Sequence, residues 1–167
     1  ERVKTMQENW VGKSIGANIS FKIKGNNDNL VVFTTRPDTI YGVTYIAISA
    51  NHKLTEAFTS IDLKNKLISL KKDLKKTKYL DQEKNGFDTG LKALNPIDNS
   101  EIPIWIATYV LDGYGTGSVM GVPAHDQRDF EFASKNKIEI KQVISKSKDG
   151  NEEYLKESLE ENGYMIN

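Results

Sequence analysis

Thr34-Thr35-Arg36-Pro37-Asp38-Thr39 lies between the apolar run Leu30 to Phe33 and the β-branched, aromatic stretch Val43 to Ile48. Pro37 lacks an amide hydrogen and ends the strand before it; Asp38 or Thr39 can cap a short helical turn, and Gly42 can end it. A strand, a bend and a second, buried strand therefore frame TTRPDT. Just upstream, Asn18 to Gly25 alternates, with Ile19, Phe21 and Ile23 on one face, and the turn-rich Asn26-Asn27-Asp28-Asn29 joins it to the Leu30 run. These two segments read as strands with a tight connection.

Further along, Ala50 to Lys84 is rich in helix formers, with Leu63, Leu67, Leu70 and Leu74 at helical spacing, and reads as a helical cover. A second β-rich stretch, Gly86 to Val110, includes the run Ile102 to Val110. It leads to Gly113-Tyr114-Gly115-Thr116-Gly117 and the apolar Val119 to Val122. Ala124 to Asn136 has acids at its start and lysines near its end, as a helix dipole favours. A strand over Ile138 to Ile144, a hairpin signal at Lys148-Asp149-Gly150 and a polar tail complete the pattern. No internal repeat interrupts it.

The 167 residues suit one domain with its own core. The chain has no cysteine, which excludes disulfides, thiolate metal sites and a cysteine nucleophile. Its formal charge is zero, so a broad electrostatic grip on a nucleic-acid duplex is not expected and any such contact should be local. Arginine is scarce, at Arg2, Arg36 and Arg128 only, and two of the three lie in the motifs that stand out. A start at Glu1 and the lack of any signal-like or membrane-length apolar run suggest a piece of a longer cytosolic chain.

Those motifs are TTRPDT, residues 34–39, and GTGSVMGVPAHDQRD, residues 115–129. Singly, each has an ordinary structural explanation: strand propensity for the threonines, turn chemistry for Asp38, first-turn acids for Asp126 and Asp129. Several chemistries fail on spacing. The glycine segment lacks both GxxxxGK[ST] and the third glycine of GxGxxG, so no phosphate cradle is supported. Two histidines, His52 and His125, with scattered acids make no HExxH-type zinc pattern, and no metal is expected. The GxSxG elbow of serine hydrolases is absent. Asp126 and Asp129, three apart, would share one face of a helix and could converge on one cation.

Together, WVGKS (Trp10 to Ser14), VVFTTRPDTIYGVTYIAISANH (Val31 to His52) and YVLDGYGTGSVMGVPAHDQRDFEFA (Tyr109 to Ala133) resemble the editing insertion of bacterial and organellar leucyl-tRNA synthetases. The resemblance spans most of the chain and is weakest over the lysine-rich helices and the C-terminal hairpin. The isoleucine and valine enzymes word the threonine motif differently, with tryptophan where this chain has Asp38, and lack HDQRD. The resemblance implies an α+β fold with a β-barrel-like core and peripheral helices, inserted in a Rossmann-type aminoacylation domain. Residues 1–167 would form a single editing domain, with 1–14 and 151–167 as connections toward the parent.

The implied activity is hydrolysis of the ester between a noncognate amino acid, such as norvaline or isoleucine, and the 3′-terminal adenosine of tRNA(Leu). No cofactor is implied for editing; ATP and Mg would serve only the parent's synthetic domain, and Lys146-Ser147-Lys148 is not the full ATP-loop motif. By resemblance Thr39 obstructs cognate leucine, Asp129 anchors the substrate ammonium with support from Asp126, and Thr34 and Thr35 lie around the adenosine and scissile carbonyl. Arg36 matches a cation near the site. Met120, Val122, Leu111 and Tyr114 match positions lining or flanking the pocket, though Leu111 and Val122 are equally explained by core packing. The partners would be the acylated tRNA end and the rest of the synthetase, with no membrane, a monomeric domain and a bacterial cytoplasmic or organellar setting.

Two rivals remain at this level. One is an isoleucine- or valine-type editing domain. The other is a non-catalytic module that binds the acceptor end, for which the lysine-rich stretch from Lys64 to Lys78 could face phosphate, although a solvated helix face explains it as well.

Overall fold

A computed structural model describes residues 15–76, 84–112, 115–148 and 155–166. The amphipathic alternation near the start becomes the antiparallel pair β1 (Ala17–Ile23) and β2 (Asn29–Thr34), with Phe21 facing Leu30 in register. Phe21, Ile23, Leu30 and Val32 are buried on one face. β3 (Tyr45–Ile48) is buried at every residue, consistent with its unbroken apolar run. β4 (Gly86–Leu94), β5 (Glu101–Ala107) and β6 (Ser118–Gly121) complete a six-stranded sheet in the order β2-β1-β4-β5-β3-β6. β3 and β5 run parallel and the other neighbours antiparallel.

This is an α+β fold on a mixed sheet with few helices. Among the described residues the strand ladder does not close into a barrel. β2 and β6 are its end strands, and the Ser118 hydroxyl donates to the Val31 carbonyl between them at 2.7 Å. Helix α1 (Ile61–Lys76) follows the predicted leucine spacing, and Leu63, Leu67, Leu70 and Leu74 pack partly buried against the core. Helix α2 (Gln127–Asn136) buries Phe132 completely, stacked on Tyr45 at 5.4 Å between ring centres and edge-on to Trp105 and Tyr109. That aromatic cluster seats α2 on the sheet one turn beyond Asp129.

Three local expectations change. Pro37–Gly42 forms a 3-10 turn whose N-cap is Arg36, with no side-chain cap bond. Pro37 starts the turn, so Asp38 and Thr39 already lie inside it, too late to cap. α2 begins at Gln127, with Asp126 as its N-cap, because Pro123 to His125 form the preceding turn. The strand expected over Ile138 to Ile144 shrinks to β7 (Ile144–Ser145), paired with β8 (Tyr164–Met165). Ile138 and Ile140 pack against the core without a ladder partner, and the amides of Val143 and Ile144 go to a histidine ring. The hairpin signal at Asp149-Gly150 lies outside the described residues, as do residues 1–14.

Candidate active site

The two motifs meet at one cavity of about 490 Å³. One wall comes from the end of β2 and the 3-10 turn: Phe33, Thr34, Thr35, Arg36 and Thr39. The facing wall comes from β6 and the start of α2, with Met120, Val122, Asp126 and Asp129. Leu111 lies at its edge, 42% exposed, whereas Met120 and Val122 are buried and serve the core and the cavity at once. Tyr114 lies outside the described residues.

Thr39 is buried, and its hydroxyl donates to the Arg36 carbonyl at 2.9 Å, which leaves its methyl as the free part of the side chain. Thr34 Oγ1 accepts the Arg36 amide at 3.0 Å, so its own proton remains to donate. Thr35 is exposed on the same wall. Arg36 grips Asp38, with Nη2 to Oδ2 at 2.9 Å, and its Nη1 reaches the Glu160 carbonyl at 3.2 Å. The Arg36 guanidinium holds the Asp38 carboxyl below the usual carboxylate range.

Asp129 is almost wholly buried yet lines the cavity. Oδ2 accepts the Val122 amide at 2.9 Å; Oδ1 accepts the Tyr109 hydroxyl at 2.8 Å and lies 3.1 Å from the Tyr45 hydroxyl. Burial, then the negative charge of Asp126, push its carboxyl up to about 6, against the pull of the Val122 amide and the two phenols. A buried carboxylate at the end of a cavity, still holding unfilled lone pairs, suits a small cation.

Asp126 is spent differently. It caps α2 by accepting the amides of Arg128 at 2.9 Å and Asp129 at 3.2 Å, and its Oδ2 pairs with the Arg128 guanidinium at 3.0 Å. Burial works against its ionisation, but these donors outweigh it and hold it below the usual range. The three-residue spacing predicts convergence on one cation only if both acids are helical; Asp126 stands before the helix, and its cation is Arg128.

Sequence reasoning misses three contributors. Tyr45 and Tyr109 sit in apolar runs and read as strand formers, yet a tyrosine in such a run needs a hydroxyl partner, and that need is the signal. His125 is buried as a clasp: Nε2 accepts the amides of Val143 (3.1 Å) and Ile144 (3.2 Å), so Nδ1 carries the proton and donates to the Leu159 carbonyl at 3.0 Å. Burial lowers its pKa and keeps it neutral. The clasp, the Leu159 amide on the Ala124 carbonyl and Ser158 on Gln127 Oε1 fasten residues 158–160 to the start of α2, within the stretch read as a connection. Among the described residues no three His, Asp or Glu side chains gather as a metal set, and no helix is long and apolar enough to cross a membrane.

Comparison with known proteins places this geometry in context. A family model described as the leucyl-tRNA synthetase editing domain matches residues 8–167. A leucine–tRNA ligase of Prochlorococcus marinus (strain MIT 9515) is 60% identical over 170 residues, covering 100% of this chain and 20% of the ligase. A leucine–tRNA ligase of Borrelia turicatae (strain 91E135) is 51% identical over 173 residues, with the same coverage. The crystal structure of a ternary complex of Agrobacterium radiobacter K84 agnB2 LeuRS with tRNA and LeuAMS matches with a TM-score of 0.72 and 30% identity, over 89% of this chain and 18% of that one. The chain thus spans about one fifth of the length of the curated relatives it matches.

Proposed function

Because the chain belongs to the leucyl-tRNA synthetase editing-domain family, we propose that it hydrolyses the ester of mischarged tRNA(Leu), releasing norvaline, isoleucine and similar amino acids from the 3′-terminal adenosine. The observation that carries this reading is the Asp129 carboxylate, buried at a cavity whose opposite wall carries Thr34, Thr35, Arg36 and Thr39 of TTRPDT. In this reading Asp129 takes the substrate's α-ammonium and Thr39 crowds the side chain. Thr34 and Thr35 donate to charge developing on the scissile carbonyl, and Arg36 supplies positive charge at the mouth. Met120, Val122 and Leu111 line the side-chain end. Asp126 acts at one remove, by capping the helix that presents Asp129.

No protein nucleophile is required. The ester is already activated by the neighbouring ribose hydroxyl, so a positioned water, the substrate's own free hydroxyl and oriented threonine donors suffice, each donor contributing about 3 kcal/mol at the transition state. A second sieve is needed because an apolar synthetic pocket separates side chains differing by one methylene by only about 1 to 3 kcal/mol. The reading needs no cofactor; ATP and Mg belong to the parent's synthetic site. The remaining synthetase supplies most of the grip on tRNA, consistent with a net charge of zero. The Ser118 link between β2 and β6 supports a barrel-like core around the site.

A deacylation panel tests this. The protein should hydrolyse isoleucyl- and norvalyl-tRNA(Leu) and spare leucyl-tRNA(Leu), and Asp129→Ala should lose at least about a hundredfold in rate. Normal rates in that variant would remove the ammonium anchor, and binding of tRNA ends without any hydrolysis would favour the non-catalytic module.

A further inference from the structure

Three oxygens meet beside the cavity: Asp129 Oδ1 and the hydroxyls of Tyr45 and Tyr109. Tyr45 comes from β3, Tyr109 from the turn after β5 and Asp129 from α2, so three separate elements converge on one point. The separations are 2.7 Å between the hydroxyls, 2.8 Å from Tyr109 to Oδ1 and 3.1 Å from Tyr45 to Oδ1. Each phenol has one proton, so only two of these three hydrogen bonds form at once. Both phenols stay protonated, since burial and the Asp129 charge push their pKa values up.

The shorter contact makes Tyr109 the standing donor to Asp129. Tyr45 has a choice: it donates to Oδ1, or it turns its proton to the Tyr109 oxygen without being left unpaired. Its ring cannot wander. It is stacked on Phe132 and pressed against Gly121, where a Cβ would stand 2.2 Å from the ring.

We propose that Tyr109 and Tyr45 are positioning residues for ammonium recognition: Tyr109 fixes Asp129 Oδ1, and Tyr45 yields its acceptor position to the incoming α-ammonium by turning its proton to Tyr109. The proposal rests on the reading of Asp129 as the ammonium anchor. It explains how a buried carboxylate is kept hydrogen-bonded while the site is empty and is available when the substrate arrives. The charged neighbours are Asp126, whose negative charge opposes ionisation of Asp129, and Arg128, which is paired with Asp126. The phenols and the Val122 amide provide the opposing pull toward the carboxylate.

The test compares Tyr109→Phe, Tyr45→Phe and Asp129→Asn on isoleucyl-tRNA(Leu) and on its α-hydroxyacyl analogue, which lacks the ammonium, across pH 5 to 8.5. Removing a donor makes Asp129 harder to ionise. Tyr109→Phe should therefore raise KM for the aminoacyl ester about tenfold at pH 6, with the acid limb of kcat/KM moved up by about one pH unit and partial recovery at high pH. Tyr45→Phe should act in the same direction but more weakly, and the hydroxyacyl ester should be nearly indifferent to both. A loss equal for both esters and flat with pH would mean packing alone and overturn the proposal. If Asp129→Asn discriminates between the esters but the phenylalanine variants do not, the proposal fails and the anchor stands; if Asp129→Asn treats both esters as the unsubstituted protein does, the anchor fails too. Should a phenylalanine variant not fold, replacing the tyrosines with 3-fluorotyrosine, a stronger donor, should move the acid limb down. An unmoved limb would overturn the proposal.

Discussion

In the proposed reading the selectivity against leucine rests on a single side chain, Thr39. It is buried, its hydroxyl is tied to the Arg36 carbonyl, and the 3-10 turn gives it no freedom to swing aside. Thr39→Ala deletes a methyl and a hydroxyl from the cavity wall, enough room for the branch of leucine. Leucyl-tRNA(Leu) should then be hydrolysed at least about tenfold faster, while norvalyl ester hydrolysis persists, at a stability cost of about 1 kcal/mol for the lost hydrogen bond. Deacylation of correctly charged tRNA measures this, and an intact leucyl ester would take the sieve away from Thr39. Thr39 and Asp129 were legible in the sequence because each stands in a long motif. Tyr45 and Tyr109 were not, because β-propensity explains an aromatic in a buried run before any hydroxyl partner is known. His125 was legible only as a residue at a helix start; the backbone groups it clasps lie 18 to 34 positions away in the chain.

At the scale of elements, the start of α2 decides where Asp129 points. Asp126 has extended backbone, φ −141° and ψ 125°, and caps the first turn, while Phe132 anchors the helix from below. Asp126→Ala removes the cap and frees Arg128, which should lower stability by about 1 kcal/mol, or the melting temperature by about 2 to 4 °C. It also removes a negative charge near Asp129, so the Asp129 carboxyl should titrate lower and the acid limb of activity move down. Thermal denaturation and a pH–rate profile check both effects; a rise in melting temperature would contradict the cap. The helix itself was legible from its charge gradient, but its first residue was not, since Asp126 and Asp129 look equivalent until one of them is seen to lie outside the helix. The strand expected at Ile138 to Ile144 failed for a related reason: alternation reports which side chains face the core and says nothing of whether a neighbouring backbone is free to pair.

For the whole molecule, the site and the fold pull in opposite directions at neutral pH. Burial pushes the Asp129 carboxyl up to about 6 in the folded chain, from 3.8 for a free aspartate side chain. A raised folded pKa means that the stability contributed by the protonated form is fully present below the unfolded value and is lost as pH rises through the folded one, here over about pH 4 to 6. Above that window, where Asp129 is ionised and able to hold an ammonium, its charge costs the fold on the order of 3 kcal/mol. Asp38, Asp112 and Asp126 titrate below their usual range and run the other way, losing stability as pH falls, so the bare pH profile mixes both signs. A difference measurement separates them. Asp129→Asn keeps the shape, and the phenols can adapt, since a tyrosine hydroxyl accepts as readily as it donates: Asn Oδ1 takes the Val122 amide and Nδ2 donates to Tyr109. The variant should melt above the unsubstituted protein at pH 7.5, by less than the full 3 kcal/mol-scale penalty because one tyrosine proton must find a new acceptor, and the gap should close below about pH 4, where the native carboxyl is neutral. A gap that stayed constant with pH would mean that the ionised carboxylate is no burden to the fold, and its hydrogen bonds would then outweigh its burial. The variant that is more stable should be the one that cannot edit, because in the proposed reading the charge that destabilises the fold is the charge that takes the substrate's ammonium.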